Sequence, residues 1–256
     1  MASADSAAGR PKVRLFVEAP LAPGAAVPLA RDRQHYLVNV MRLGAGSEVA
    51  AFNGRDGEWR ARLAGSGKTA GLEAVEQLRP QQAGPDVWLV FAPPKHARLD
   101  YLAEKATELG AAALCPVLTR RTVAARVNRD RLEANAREAA EQTDRLTVPT
   151  CHDAVPLAKL VADWPAGRRL LLCDETGGGR PVAEALAAAK GDPAPWAIVT
   201  GPEGGFEEGE LAMLRRLPGA VGVGLGPRLL RAETAAIAAL ACWQALLGDW
   251  SRAPRQ

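Results

Sequence analysis

Two glycine-rich turns, each following an apolar run, hold the residue types best suited to chemistry. TGPEGG (200–205) follows WAIVT, and GLGPRLLRAET (224–234) follows AVGV. Glycine permits positive φ and close backbone approach, so backbone N–H and C=O groups at such turns can face a ligand. Ligands of open α/β sheets bind beyond the carboxyl ends of the strands. The two turns therefore either wall one pocket or are ordinary turns, and both interpretations stay open at this point.

The first turn has the layout of a phosphate-binding loop without its charge. A phosphate site combines free backbone N–H groups with the positive end of a helix and often with a cation. This turn instead contains Glu203 and no Lys or Arg, and Glu207, Glu208 and Glu210 follow it. The pattern predicts a ligand that is not a phosphate.

Two further glycine patterns fail as nucleotide signatures. GSGKT (65–69) lacks the glycine that a P-loop needs five places before Gly67, where Arg62 stands, so we interpret it as a hairpin loop. GVGLGPR (222–228) has Pro227 where the dinucleotide fingerprint requires glycine, and that fingerprint opens the first βα unit of its domain. Both failures disfavour an ATPase or a nucleotide-dependent oxidoreductase.

The composition is that of a soluble globular protein. The chain has 256 residues, of which 48% are hydrophobic and 24% charged, and it contains no apolar run long enough to span a membrane. Four scattered cysteines without a C-x-x-C pair and three histidines predict reduced thiols in a cytoplasmic protein and no metal site. Residues 1–12 are predicted to be a disordered tail and not a signal peptide.

Positive charge is concentrated in one segment, although the net charge is only +3. TRRTVAARVNRDR (119–131) contains five arginines against the single Asp130. Such a run either faces a polyanion or is a solvated surface.

The elements that must position these residues fall into two groups. Short β-compatible runs at 13–17, 47–52, 58–63 and 71–78, with a helix-like insertion at 31–43, predict a small β-rich module. RPQQAGPD (79–86) is a boundary. Beyond it, continuous apolar runs alternate with helical patterns from VWLVF (87–91) to the last helix (234–250), which predicts an α/β domain with a mostly parallel sheet.

Five motifs in order resemble one family. They are HYLVNVMRLGAGSEVAAFNG (35–54), KHARLDYLAEKATELG (95–110), EQTDR (141–145), GPEGGF (201–206) and LGPRLLRAETAA (225–236). Together they resemble the bacterial 16S rRNA (uracil-N3) methyltransferase family of the SPOUT superfamily, over nearly the whole chain from about Val13.

The resemblance implies an S-adenosylmethionine-dependent enzyme that methylates N3 of a specific uridine in 16S rRNA of the small ribosomal subunit. It also implies a homodimer, an N-terminal PUA-like RNA-binding domain over residues 1–80 and a trefoil-knotted SPOUT methyltransferase domain over 85–256. A catalytically silent RNA-binding or ribosome-assembly protein of the same fold remains the alternative.

The cofactor-binding and catalytic candidates follow from the resemblance, and the RNA-binding candidates from the positive charge. The cofactor-binding set is Thr200, Gly201, Pro202, Glu203, Gly204, Gly205, Leu225, Gly226, Leu229, Leu230, Arg231, Thr234 and Ala235. The catalytic candidates are Glu203 as a general base, and Arg231 and Arg145 as cations that stabilise a uridine anion. Alternatively, Glu203 only bonds backbone N–H groups or pairs with Arg231. The predicted RNA-binding residues are Arg14, Arg120, Arg121, Arg126 and Arg129.

Two positions depart from the family pattern. Asp144 stands where a small residue, commonly glycine, is usual in EQ..R, which puts the turn before Arg145 in question. Arg120 stands where an acidic residue is common and adds positive charge.

Overall fold

The computed structural model describes residues 9–65, 70–123 and 126–251. The chain divides into two compact units, Met1–Ala83 with Asp144–Thr147 and Gly84–Thr143 with Val148–Gln256. Apart from Gly65, the GSGKT segment lies outside the described residues. No helix in the described part of the chain is long and apolar enough to cross a membrane.

The N-terminal unit is built on one five-stranded sheet. Its strands are β1 (Arg14–Phe16), β2 (Ala26–Pro28), β3 (Glu48–Phe52), β4 (Glu58–Ala64) and β5 (Gly71–Arg79), in the order β1-β3-β4-β5-β2. Only the β1–β3 pair is parallel. The predicted helical insertion is a short helix, α1 (Arg31–His35), followed by a π-helical turn (Tyr36–Val40) that buries Leu37 against the sheet. The sequence did not predict β2.

The C-terminal unit contains the alternating strands and helices. Its strands are β6 (Val87–Phe91), β7 (Ala113–Leu118), β8 (Thr150–Cys151), β9 (Val155–Pro156), β10 (Arg169–Cys173), β11 (Arg180–Pro181), β12 (Trp196–Thr200) and β13 (Ala220–Gly224). Its helices are α2 (His96–Glu108), α3 (Arg129–Gln142), α4 (Leu157–Ala162), α5 (Val182–Ala187), α6 (Glu208–Arg215) and α7 (Ala232–Leu246), with a 3₁₀ turn at Asp249–Ser251. Sequence patterns missed α4 and the two-residue strands, which are too short to show a period.

All the strand pairs of this unit are parallel, in the order β11-β13-β10-β12-β6-β7-β8, and β9 pairs with β7. Helices cover both faces, because one core cluster joins the sheet to α2, α3, α5 and α7 and another joins it to α4 and α6. Two-sided burial explains why VWLVF and WAIVT are uninterrupted apolar runs.

The position of β13 in the sheet determines where the turn that follows it lies. This strand lies between β10 and β11, which precede it and are consecutive along the chain. This order brings the carboxyl ends of β12, β10 and β13 side by side.

Candidate active site

The turn after β12 is held by contacts that only glycine permits. A side chain at Gly201 would approach the Phe206 ring to 2.9 Å, and Phe206 is buried. Gly205 has φ of +73°, and a Cβ there would lie 2.5 Å from Glu175 Oε1. That oxygen accepts a hydrogen bond from the Phe206 N–H at 2.8 Å. Thr200, at the end of β12, is buried beneath the turn.

The acidic residues beyond this turn have structural roles. Glu207 and Glu210 form a reciprocal capping box at the N-terminus of α6, in which Glu210 Oε2 accepts from the Glu207 N–H at 2.9 Å. Glu210 Oε1 accepts from the backbone N–H of Arg120, also at 2.9 Å. These carboxylates therefore cap a helix and anchor a neighbouring loop.

The turn after β13 presents apolar and cationic groups to solvent. Gly226 has φ of +99°, and the side chain of Leu229 is 89% exposed. Arg231 is the exposed N-cap of α7. Leu225, Leu230 and Ala235 are half-buried and Thr234 is exposed. Exposure of a large apolar side chain beside a glycine turn suits a surface that a ligand covers.

A third turn, Asp174–Gly179, lies between the other two because β10 separates β12 from β13. Burial by itself would raise the pKa of Asp174, but hydrogen bonds from Thr176 and Arg215 lower it. Gly179 packs so closely on β13 that a Cβ would lie 2.4 Å from the Val223 carbonyl carbon. The sequence prediction omitted this turn, although RLLLC followed by DETGGG has the same strand-then-glycine pattern.

A cluster of one arginine and two carboxylates joins the turn after β12 to two helices. Arg98 of α2 lies with Nη1 3.9 Å from Glu203 Oε1 and with Nε 3.5 Å from Glu233 Oε1. In the described part of the chain, Glu203 thus faces Arg98 and forms no ion pair with Arg231. Sequence reasoning missed Arg98 and Glu233 as site residues, although both lie inside quoted motifs.

The predicted RNA-binding arginines of the C-terminal unit occupy different environments. Arg121 donates to the Gly204 carbonyl at 2.8 Å and so braces the turn after β12. The side chains of Arg120 and Arg126 are exposed. Arg129 is also exposed and pairs with Glu133.

Arg14 is a buried residue of the N-terminal unit, and its role in RNA binding stays a prediction. Its side chain is only 6% exposed. The guanidinium pairs with Glu58 at 2.7 Å and lies over the Phe52 ring at 4.4 Å. Burial also lowers the pKa of Arg14. Arg10, predicted to lie in a disordered tail, pairs with Glu58 and Asp144.

The structure shows how the EQTDR segment accommodates Asp144 at a position where the family commonly has glycine. Asp144 has φ of +64°, a left-handed conformation that glycine adopts freely and that Asp tolerates better than most residues. Its carboxylate pairs with Arg10 at 2.7 Å. Arg145 is half-buried, donates to Thr147 Oγ1 at 3.1 Å and belongs to the N-terminal unit, whereas Glu203 and Arg231 belong to the C-terminal unit.

Known proteins resemble the chain over most of its length. The family model for the RNA methyltransferase domain matches residues 81–244, and that for the RNA methyltransferase PUA domain matches 29–71. Ribosomal RNA small subunit methyltransferase E of Rickettsia conorii is 31% identical, covering 89% of this chain and 93% of the relative. The protein of the same name from Synechocystis is 34% identical, covering 87% and 74% respectively.

The fold agrees with these matches. The crystal structure of a ribosomal RNA small subunit methyltransferase E from Neisseria gonorrhoeae, bound to S-adenosyl methionine, superposes with a TM-score of 0.80 at 25% identity. The superposition covers 93% of this chain and 99% of that one. The predicted family and the predicted fold class, a parallel-sheet methyltransferase domain with a β-rich PUA-like domain, are confirmed. The chain belongs to the ribosomal RNA small subunit methyltransferase E family.

Proposed function

We propose that this protein transfers a methyl group from S-adenosylmethionine to N3 of a specific uridine in 16S rRNA of the small ribosomal subunit. The observation that carries the proposal is the juxtaposition of three glycine turns at the carboxyl ends of β12, β10 and β13. Membership of the family supports the substrate class.

The residues of these turns fit this cofactor. S-adenosylmethionine supplies an activated methyl group on a positive sulfonium and has no phosphate. Accordingly, the turn after β12 has no cation of its own and carries Glu203. The side chain of Leu229 offers an apolar surface to a flat adenine, and backbone groups of Gly201–Gly205 offer hydrogen bonds to it.

Arg231 is the leading catalytic candidate. Methyl transfer to N3 requires loss of the N3 proton, which places negative charge on the uracil ring. Arg231 is exposed at the N-terminus of α7, where its charge and the helix dipole both favour an anion. Glu203 faces the cation Arg98, which favours a role in shaping the turn over that of a general base. Arg145 remains a candidate second cation.

RNA binding is electrostatic in this proposal. Exposed guanidinium groups are present on Arg120, Arg126 and Arg129. Arg121 contributes those of its N–H groups that do not donate to the Gly204 carbonyl. Counterion release then predicts a steep fall of affinity with salt. The protein is proposed to act as a cytoplasmic homodimer.

The test is mass mapping of 16S rRNA from cells with and without this gene, together with methyl transfer to isolated small subunits. We expect one uridine to lose its methyl group in the deletion strain. A catalytically silent assembly protein would leave the methylation pattern unchanged and would transfer no methyl group in vitro.

The substitution Arg231→Ala tests the catalytic assignment. We expect transfer to fall by about 10²-fold or more, because a cation that stabilises developing charge is lost. Affinity for S-adenosylhomocysteine should stay within about tenfold. Arg216→Ala, an exposed arginine at the end of α6, is the matched control and should transfer normally. Near-normal turnover by Arg231→Ala would show that Arg231 does not stabilise the uridine anion.

A further inference from the structure

Glu233 is a buried carboxylate, and one of its two oxygens lacks a hydrogen-bond donor among the described residues. The residue is 8% exposed and lies in the first turn of α7, immediately after the turn that follows β13. Within the described ranges of the chain, its Oε2 atom has no hydrogen-bond partner. Burying a charged oxygen without a hydrogen-bond donor costs free energy, so a ligand group that donates to this atom would stabilise it.

The surroundings of Glu233 determine which kind of group fits. Its other oxygen, Oε1, lies 3.5 Å from Arg98 Nε, and Arg98 also faces Glu203 at 3.9 Å. Two carboxylates and one guanidinium leave this cluster with a net charge of −1. The helix dipole at the start of α7 offsets part of that charge and supplies no donor to Oε2. The cluster therefore favours a ligand group that is both cationic and a hydrogen-bond donor.

We propose that Glu233 Oε2 accepts a hydrogen bond from the α-ammonium of S-adenosylmethionine, while Arg98 holds the opposite oxygen. This inference rests on the proposed function. The sulfonium is cationic but donates no hydrogen bond, and the donors of ribose, adenine and uracil are neutral. RNA phosphates are anions, which the cluster repels. Only the α-ammonium meets both requirements.

The experiment measures ligand binding by calorimetry and needs no turnover. S-adenosylhomocysteine keeps the α-ammonium without the sulfonium, whereas 5′-methylthioadenosine lacks the amino-acid part. In Glu233→Gln we expect affinity for S-adenosylhomocysteine to fall by about tenfold or more, since the ammonium loses its ion pair with a carboxylate and keeps only a hydrogen bond to an amide oxygen. Affinity for 5′-methylthioadenosine should change by less than about twofold.

Glu208→Gln is the matched control, an exposed glutamate in the first turn of α6, and should bind both ligands as the wild type does. An equal loss for both ligands in Glu233→Gln would show that Glu233 only shapes the pocket, and an unchanged affinity would show no contact. Either result overturns the inference.

A second measurement uses the wild-type protein and so does not depend on the folding of a variant. The deaminated analogue of S-adenosylhomocysteine should bind about tenfold or more weakly than the parent compound. Equal affinity would overturn the inference. If none of these ligands bound the wild-type protein, the cofactor site itself would be overturned as well. The methylation mapping tests the RNA substrate independently of both.

Discussion

Glu58 organises three arginines from two distant parts of the sequence. This fully buried carboxylate, at the start of β4, accepts hydrogen bonds from Arg10 at 2.6 Å, Arg14 at 2.7 Å and Arg79 at 2.9 Å. Arg10 and Arg14 also pair with Asp144. The two carboxylates offset most of the charge of the three guanidinium groups, so the N-terminal unit tolerates a partly buried ion cluster whose members would each be costly alone.

This cluster predicts an acid sensitivity of the N-terminal unit. Burial by itself would raise the pKa of Glu58, but hydrogen bonds from the three arginines lower it from 4.5 to about 2. A carboxylate with a lowered pKa stabilises the fold at pH values above its unfolded pKa, and this stabilisation is lost as the pH falls. We therefore expect about 3 kcal/mol of the free energy of unfolding to be lost between about pH 4.5 and pH 2.

Comparison with Glu58→Gln isolates this carboxylate from all others. The variant should be about 3–5 kcal/mol less stable at neutral pH, because three guanidinium groups lose their shared partner. Urea denaturation at a series of pH values measures the difference between the two proteins. That difference should shrink below about pH 4.5, and a difference that is constant down to pH 2.5 contradicts the assignment.

At the scale of elements, the turns after β12 and β10 support each other. Glu175, in the turn after β10, accepts the Phe206 N–H and at the same time fills the space beside Gly205. Arg121, from the loop after β7, holds the Gly204 carbonyl. The turn after β12 is thus fixed from two sides, which suits a site that must hold a methyl donor in line with its acceptor.

The substitution Gly205→Ala should damage this arrangement. An alanine would have to adopt φ of +73° and would place its Cβ 2.5 Å from Glu175 Oε1. We expect a loss of about 1–3 kcal/mol in the free energy of unfolding, with weaker binding of S-adenosylhomocysteine. Thermal denaturation and calorimetry measure the two effects.

Gly209→Ala is the control for glycine replacement in the same region. Gly209 lies in the first turn of α6, and a Cβ there meets nothing within 4 Å. Its stability should be unchanged or raised by up to about 1 kcal/mol. Equal behaviour of the two variants would show that the turn does not need glycine at 205.

At the scale of the whole molecule, α7 has more apolar surface than the described residues of the chain cover. Its buried residues Ala236, Leu240 and Trp243 pack in the core, whereas Ile237 and Cys242 are half-buried and Leu246 is exposed. A helix that is apolar on all sides is normally covered on all sides. In the proposed homodimer, the second subunit covers the remaining apolar side chains of α7.

We expect Leu246→Glu to convert the dimer to a monomer, because a carboxylate would be buried without a partner. Sedimentation velocity at micromolar concentration measures the change. Val40→Glu replaces another exposed apolar residue, in the N-terminal unit, and should leave the dimer intact. A monomeric wild type, or dissociation by both variants alike, contradicts the proposal.

Local patterns in the sequence were sufficient for most of the longer elements and for two of the three glycine turns. VWLVF and WAIVT could be predicted as covered strands, and the helical spacing after Lys95 predicted α2, because periodicity and apolar runs are properties of neighbouring residues. GPEGG and LLRAET marked the proposed site for the same reason. The absence of a cation from the first turn already predicted a ligand other than a phosphate.

Only the tertiary structure decided which distant residues meet. It placed Asp144–Thr147 with the N-terminal unit, buried Arg14 beside Glu58, inserted β13 between β10 and β11, and brought Arg98 between Glu203 and Glu233. None of these pairings has a local signature, since an arginine that pairs inside a sheet has the same sequence context as one that faces solvent. The sequence by itself determined the family, most of the longer elements and two of the three glycine turns, and long-range packing decided the partner of each charged side chain.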